Sequence, residues 1–156
     1  MILARLEALF RPIALSGFRA CAEAIAPSND LGAPDVDEAD MVARADAWWR
    51  LLPPDSRRLL MLLYTGMELG APLLLGSPRR LSRLPVERRL ALFEGWRTSK
   101  LWPLRFVADA VKSPVVMMYL SHPRSLEWLG ATTCEHPFPS RATLPQRPPF
   151  PLGDGR

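Results

Sequence analysis

The sequence predicts an all-α protein, a single compact bundle of about five to six helices with a proline-rich, disordered C-terminal tail. Apolar residues recur at three- and four-residue steps along most of the chain, which is the period of amphipathic helices. No stretch alternates convincingly between apolar and polar residues, as a half-buried strand would. Six of the 17 prolines lie between Pro137 and Pro151. We therefore divide the chain into a helical domain, 1–130, and an irregular tail, 131–156.

Composition and charge narrow the class of protein. A chain of 156 residues with 48% hydrophobic residues is the size and composition of one folded domain. The net charge of +4 is small and its arginines are scattered along helices, so nucleic-acid binding is not predicted. Cys21 and Cys134 form no Cys-x-x-Cys motif and indicate no disulfide framework. With no export signal or transmembrane segment recognised, a cytoplasmic location is the default expectation, and export together with a partner is the alternative.

Two helices are predicted in the first third of the chain. The first runs from Ile2 to Ile25, and Pro12 and the Ser16–Gly17 pair are expected to kink or divide it. A loop rich in turn-forming residues follows at 27–34. The second helix runs from about Asp37 to Leu52. Its apolar stripe consists of Met41, Val42, Ala45, Trp48, Trp49 and Leu52.

The middle of the chain predicts two more helices. The first follows Pro53–Pro54 and contains the run Leu59–Tyr64, which is apolar almost all round, so we expect this helix at the centre of the bundle. Gly70 and Pro72 mark its end. After a second loop, the next helix begins at Pro85, since proline is favoured at the first helical position.

The last two predicted helices complete the bundle. One begins near Trp102–Pro103 and carries a polar face through its first half only, so the run Val115–Leu120 should be enclosed. Pro114 is expected to bend this helix. A short helix from Pro123 to Leu129 precedes the tail.

The motifs of cofactor binding and catalysis are missing from the sequence. Flavin or nucleotide binding by a doubly wound domain needs a glycine-rich turn, and the nine glycines form none. We therefore predict no cofactor, no metal and no catalytic residue on this chain. Cys134, Glu135 and His136 are ligand types set side by side, whereas zinc ligands usually come in pairs two to four residues apart. An independent enzyme that uses His122 or His136 is the weakest hypothesis.

Tryptophan and arginine side chains supply the candidate interface. Trp48, Trp49 and Trp96 fall on apolar stripes and are expected in the core, while Trp102 and Trp128 stand at helix ends. Both residue types are enriched where proteins dock. The candidate interface residues are Trp96, Arg97, Lys100, Trp102, Arg105 and Trp128. The alternative for the first five of these residues is that the tryptophans pack in the core and the cations form a solvated rim around them.

Several short motifs between Phe18 and Gly130 resemble a known family in their order and spacing. They are Phe18–Pro27, Leu81–Arg89, Trp96–Ser99, Arg105–Phe106, Ala110–Ser113, Met118–Tyr119 and Pro123–Gly130. Together they resemble the small helical subunit of gluconate 2-dehydrogenase (the subunit 3 family) and the related helical segment that precedes the flavin domain of long-chain alcohol oxidases. Leu126 and Ala131 depart from the pattern, which tends to have aromatic residues there.

The resemblance implies that this chain does not itself catalyse the reaction of the complex to which it belongs. In that family the FAD is bound by a large subunit of the glucose–methanol–choline type, sometimes with a cytochrome c as a further partner. This chain would then be an accessory subunit of an oxidoreductase, docking on the large subunit and stabilising it. The alternative is a free-standing helical interaction module, or one that contacts anionic membrane through its arginine faces.

Overall fold

The structure is a computed structural model that describes residues 2–26, 32–70 and 79–130. Within these residues the chain forms α-helices and one 3₁₀ turn and no strand, which confirms the predicted all-α fold. In chain order they are α1 (Ile2–Ile25), α2 (Met41–Leu51), α3 (Pro54–Leu69), the 3₁₀ turn (Leu81–Arg83), α4 (Val86–Arg97), α5 (Trp102–Leu120) and α6 (Pro123–Trp128). The predicted tail, 131–156, and most of both predicted loops lie outside the described residues.

The first helix, not the third, lies at the centre of the bundle. α1 contacts α2, α3, α4, α5 and the 3₁₀ turn, and its residues Ala14, Phe18 and Cys21 are fully buried. The expectation that α3 is central was wrong. α3 packs one face against α1 and leaves Leu59 and Leu62 largely exposed on the other. An apolar side chain is not obliged to be buried, so an apolar run does not by itself place a helix at the centre.

Gly17 allows α1 and α3 to approach each other closely. A Cβ atom at this position would lie 2.2 Å from the carbonyl oxygen of Tyr64 and 3.1 Å from Cβ of Glu68. The Ser16–Gly17 pair therefore does not divide α1, which continues unbroken through Pro12 as well. The pair marks a contact between helices and not a break in one of them.

Three aromatic rings hold α1, α2 and α3 together. Phe18 meets Trp49 and Tyr64 edge-on, with ring centroids 5.9 and 5.2 Å away, while Trp49 and Tyr64 stack at 5.6 Å. The Tyr64 hydroxyl donates a 3.0 Å hydrogen bond to the Val111 carbonyl oxygen, which ties this cluster to α5. The predicted core position of Trp49 is thus confirmed, and Trp48 packs partly buried against the same core.

The second half of α5 is only half enclosed. Val115 is fully buried, whereas Met117 and Leu120 are exposed, so the expectation that the whole run Val115–Leu120 is covered was wrong. Helical geometry explains the difference, because Met117 and Leu120 are three residues apart and lie on one side of the helix, which the described elements leave partly open to solvent. Pro114 lies within α5 and is buried.

Candidate partner interface

The outward face of α5 carries large apolar side chains that the described part of the chain leaves uncovered. Trp102 is 67% exposed and Phe106 is 64% exposed, and their four-residue spacing puts them on one face. Leu101, which directly precedes α5, is 64% exposed. We name these three residues, Leu101, Trp102 and Phe106, the aromatic corner.

The connection from α4 to α5 holds the aromatic corner in place. The Leu101 backbone N–H donates to the Ser99 hydroxyl oxygen at 3.1 Å, and the Arg105 guanidinium donates to the Ser99 carbonyl oxygen at 3.1 Å. The Trp102 and Phe106 rings meet edge-on with centroids 6.3 Å apart. These bonds and this ring contact hold the backbone and the two rings of the corner in one arrangement.

The structure separates the candidate interface residues predicted from the sequence. Trp96 is only 8% exposed and packs edge-on against Phe93, so its ring belongs to the core. Trp102 is exposed and has Lys100 and Arg105, both exposed, close to it in the chain. The core alternative therefore describes Trp96, and the interface alternative fits Trp102.

Two other predicted interface residues, Arg97 and Trp128, are also exposed. Arg97 forms a 3.4 Å surface ion pair with Glu94, a kind of contact that contributes little to stability. Trp128, at the end of α6, lines a groove with Val116 and Leu120 from the second half of α5, whereas Trp102 is the first residue of that helix. Sequence analysis missed Leu101 and Phe106. The spacing of Phe106 from Trp102 was the signal that would have found it.

The motif Leu81–Arg89, which carries much of the family resemblance, forms a buried polar corner. The carboxylate of Glu68, fully buried on α3, accepts 3.0 and 2.5 Å hydrogen bonds from the backbone N–H and hydroxyl of Ser82. It also accepts a 3.2 Å bond from the Ser16 hydroxyl. This carboxylate therefore joins α1, α3 and the 3₁₀ turn.

Arg89 completes this corner from the first turn of α4. Its buried guanidinium donates to the carbonyl oxygens of Leu84 (2.8 Å), Ser82 (3.1 Å) and Ala20 (3.3 Å). It also donates to a carboxylate oxygen of Glu23 at 2.5 Å. These bonds tie the start of α4 to α1 and to the 3₁₀ turn, so the geometry gives this motif a structural role.

A cavity of about 410 Å³ beside this corner is lined by the carboxylates of Glu23, Asp35, Asp37 and Glu87, and the first three of them accept hydrogen bonds within the chain. Glu23 accepts hydrogen bonds from Arg19 and Arg89, and Asp37 accepts one from Arg19. Asp35 accepts from two backbone N–H groups. Burial alone would raise the pKa of Glu23, but the hydrogen bonds from Arg89 and Arg19 outweigh it, so its pKa lies below the ordinary value. This carboxyl is therefore held ionised and is a poor proton donor near neutral pH.

The described cysteine, Cys21, and the described histidine, His122, differ in their burial. Cys21 is fully buried, and burial, with Glu68 adding to it, raises the pKa of its thiol well above the usual range, so the reactive thiolate is suppressed. His122 stands half-buried just before α6, as expected, while Cys134, Glu135 and His136 lie outside the described residues. In 2–26, 32–70 and 79–130 no three side chains of metal-binding type come together.

Comparison with known proteins returns no match: no family model, no curated protein and no solved structure matches this chain. The resemblance drawn from the sequence motifs therefore stays a prediction. The aromatic corner is one of the places where the described surface exposes large apolar side chains, and it is the one that includes an exposed tryptophan ring in contact with a second exposed ring.

Proposed function

We propose that this chain is a non-catalytic accessory subunit that docks on, and stabilises, the FAD-containing large subunit of a flavin-dependent alcohol or sugar-acid dehydrogenase. The observation that supports docking is the aromatic corner, where three large apolar side chains are each about two-thirds exposed. Covering one such side chain fully is worth about 1.5–3 kcal/mol. A partner that covers all three would recover that free energy, which the isolated domain leaves unused.

The composition of the corner suits a protein partner. Trp102 supplies a large rigid ring, and tryptophan is enriched among the residues that dominate binding energy. Lys100 and Arg105 flank it with positive charge, which favours a partner surface that is apolar at its centre and acidic at its rim. The choice of a flavoprotein of the glucose–methanol–choline type rests on the motif resemblance. On this proposal FAD is bound by the partner, and a cytochrome c is a further member in some complexes.

The proposal is tested by co-purification with matched variants. The tagged chain is co-expressed with a candidate flavoprotein large subunit from the same genome, and bound flavin is quantified by absorbance. Trp102→Ser should weaken the complex at least about 30-fold, the effect of losing roughly 2 kcal/mol at a hot spot. Leu62→Ser is the matched control, because Leu62 is 70% exposed but lies on α3, and it should leave the complex intact.

Two outcomes would contradict this proposal, the first its function and the second its docking surface. The large subunit and this chain could purify separately, each stable, with the large subunit fully active alone. Alternatively, the complex could form with Trp102→Ser unimpaired and Leu62→Ser defective, which would move docking to α3. In either case the aromatic corner would not be the docking surface.

A second candidate function is peripheral binding to anionic membrane, favoured by the combination of exposed Trp102 and Phe106 with neighbouring Lys100 and Arg105. Aromatic rings and basic residues together are typical of surfaces that lie on a bilayer. No helix among the described residues has the length and apolar character needed to cross one. Sedimentation with anionic vesicles at low salt, lost at high salt and in Trp102→Ser, would favour this function. Equal recovery in the supernatant with and without vesicles would exclude it.

A further inference from the structure

A second exposed apolar feature lies on the face of α3 that is turned away from α1. Leu59 is 66% exposed, Leu62 is 70% exposed and Leu69 is 41% exposed. Gly66, which is also exposed, lies on the same face between the last two of these leucines. We name these four residues, Leu59, Leu62, Gly66 and Leu69, the leucine seam.

The leucine seam has the spacing of a helix that pairs with another helix. Its members are three, four and three residues apart, which is the spacing of the a and d positions of a coiled coil. The one charged residue in the stretch 59–69 is Glu68, which is fully buried and accepts hydrogen bonds from Ser82. The stretch therefore presents no exposed charge to an approaching helix.

The order of residues in the seam favours a second copy of the same helix that runs in the opposite direction. The spacing reads the same both ways, so a two-fold axis between Leu62 and Gly66 sets Leu62 against Gly66 of the other copy. The same axis sets Leu59 against Leu69. A Cβ at Gly66 would meet nothing within 4 Å in its own chain, so there is room over this residue for the opposing leucine. In a parallel pair the two Gly66 residues would face each other and leave a gap.

The charge at the start of α3 suits the same arrangement. In an antiparallel pair the first turns of α3 in one copy lie beside the last turn of α3 in the other. Arg58, which is exposed and directly precedes Leu59, then lies near the last turn of the other helix, whose carbonyl groups carry partial negative charge. In a parallel pair the two Arg58 guanidinium groups would instead lie near each other and repel.

We infer that two copies of this chain pair through the leucine seam, with their α3 helices antiparallel. The stretch 59–69 is much shorter than the about 20–30 residues that each side contributes to a standard stable interface. The dimer is therefore weak and dissociates on dilution, and in the monomer Gly66 is open to solvent. Pairing through α3 leaves the aromatic corner on α5 free, so self-association and the proposed docking use different surfaces.

Sedimentation equilibrium of the full-length chain at several concentrations tests the pairing. The wild-type chain is expected to approach twice the monomer mass as its concentration rises. Leu62→Ser should raise the dissociation constant at least about 30-fold, because the two-fold axis makes each contact occur twice. Leu101→Ser is the matched control, since Leu101 is 64% exposed but lies outside the seam, and it should leave the dissociation constant unchanged.

Disulfide trapping tests the direction of the pair. In a Cys134→Ser background, chains with Leu59→Cys and chains with Leu69→Cys are given tags of different mass, mixed and oxidised. A disulfide is expected between the two kinds of chain, because the antiparallel pair sets these positions against each other. Two Leu59 positions lie about 15 Å apart along the antiparallel helices, beyond the about 7 Å between Cα atoms that a disulfide can bridge.

Three outcomes would overturn the inference. The wild-type chain could keep the monomer mass at every concentration tested. Leu101→Ser could dissociate the dimer while Leu62→Ser leaves it intact, which would move self-association to the aromatic corner. Two Leu59→Cys chains could cross-link faster than the mixed pair, which would make the helices parallel.

Discussion

The close contact between α1 and α3 at Gly17 predicts that replacing this glycine by alanine lowers the free energy of unfolding, whereas the same replacement within a helix usually raises it. Replacing a glycine inside a helix by alanine ordinarily stabilises a protein by about 0.5–1 kcal/mol, because alanine loses less backbone entropy on folding. In Gly17→Ala the new methyl group would lie 2.2 Å from the Tyr64 carbonyl oxygen, and that oxygen belongs to a helix backbone. We therefore expect this substitution to be destabilising.

The size of the change in the free energy of unfolding follows from how far the new Cβ atom falls short of an ordinary contact distance. Ordinary contact of a Cβ with another atom begins at about 3.4 Å, so α1 and α3 must separate locally by roughly 1 Å. Overpacking of this kind costs typically about 1–3 kcal/mol. After the favourable helix propensity is subtracted, Gly17→Ala should lower the free energy of unfolding by about 0.5–2 kcal/mol. Separation at this point also loosens the neighbouring contacts of Phe18 with the aromatic core.

Two other glycines provide the control. Gly66 on α3 and Gly95 on α4 are helical and exposed, and a Cβ at either position meets nothing within 4 Å. Gly66→Ala and Gly95→Ala should each raise the free energy of unfolding by about 0.5–1 kcal/mol. Urea unfolding followed by circular dichroism at several denaturant concentrations measures all three. If Gly17→Ala proved as stabilising as Gly66→Ala, the close packing of α1 on α3 would be refuted.

Three further predictions concern the interior of the bundle. Arg89→Gln should lower the free energy of unfolding by about 3 kcal/mol, because it leaves buried carbonyl oxygens without hydrogen-bond donors. In the same urea titration Arg88→Gln, at an exposed position, should change the free energy of unfolding by less than about 0.5 kcal/mol. The pKa of Glu23 is lowered in the folded chain, so its contribution to stability is present above the ordinary value of 4.5 and is lost as pH falls below it. The urea midpoint should drop below about pH 4.5 and drop less steeply in Glu23→Gln, and a midpoint that rises with acid would contradict this. In a Cys134→Ser chain, Cys21 should react with a thiol reagent at least about 100-fold more slowly in buffer than in urea, and equal rates would show that Cys21 is accessible.

The order of helices could be predicted from the sequence, because apolar periodicity and proline positions are local signals. The start of α2 shows where such signals fail. The sequence predicted a helix from about Asp37, yet α2 begins at Met41. Asp35 accepts hydrogen bonds from the backbone N–H groups of Asp37 and Glu38, and Asp40 has φ 47°, so these residues form a turn. Aspartate stabilises turns through the same side-chain bonds that favour it at helix starts.

Burial on α4 could not be read from hydrophobicity. On α4 the apolar Leu90 is 43% exposed, whereas its charged neighbour Arg89 is buried. The cause is tertiary: carbonyl oxygens of the 3₁₀ turn and of α1 converge on this position and need donors. The sequence around Arg89 does not show that these carbonyl oxygens need a donor, because they come from other parts of the chain.

The prediction of the candidate interface from the sequence was limited in the same way, because exposure depends on tertiary packing. The apolar stripe predicted Trp96 in the core and the helix end predicted Trp102 outside it, yet both were kept as interface candidates because cations lie close to them in the sequence. The structure bears out the first pattern, since Trp96 is 8% exposed and Trp102 is 67% exposed. The sequence predicted the types of residue expected in a docking surface, and the packing of the helices determines which of these residues are exposed to solvent.

The central position of α1 has a consequence for synthesis on the ribosome. α1 is made before all the other described helices, yet α5, one of the elements that cover it, is complete only 95 residues later. At typical rates of about 5–20 residues per second, this apolar helix waits for about 5–20 s with its buried face uncovered. A nascent chain in that condition is a natural client for a ribosome-associated chaperone, so yield in the cell should depend on how well that interval is protected.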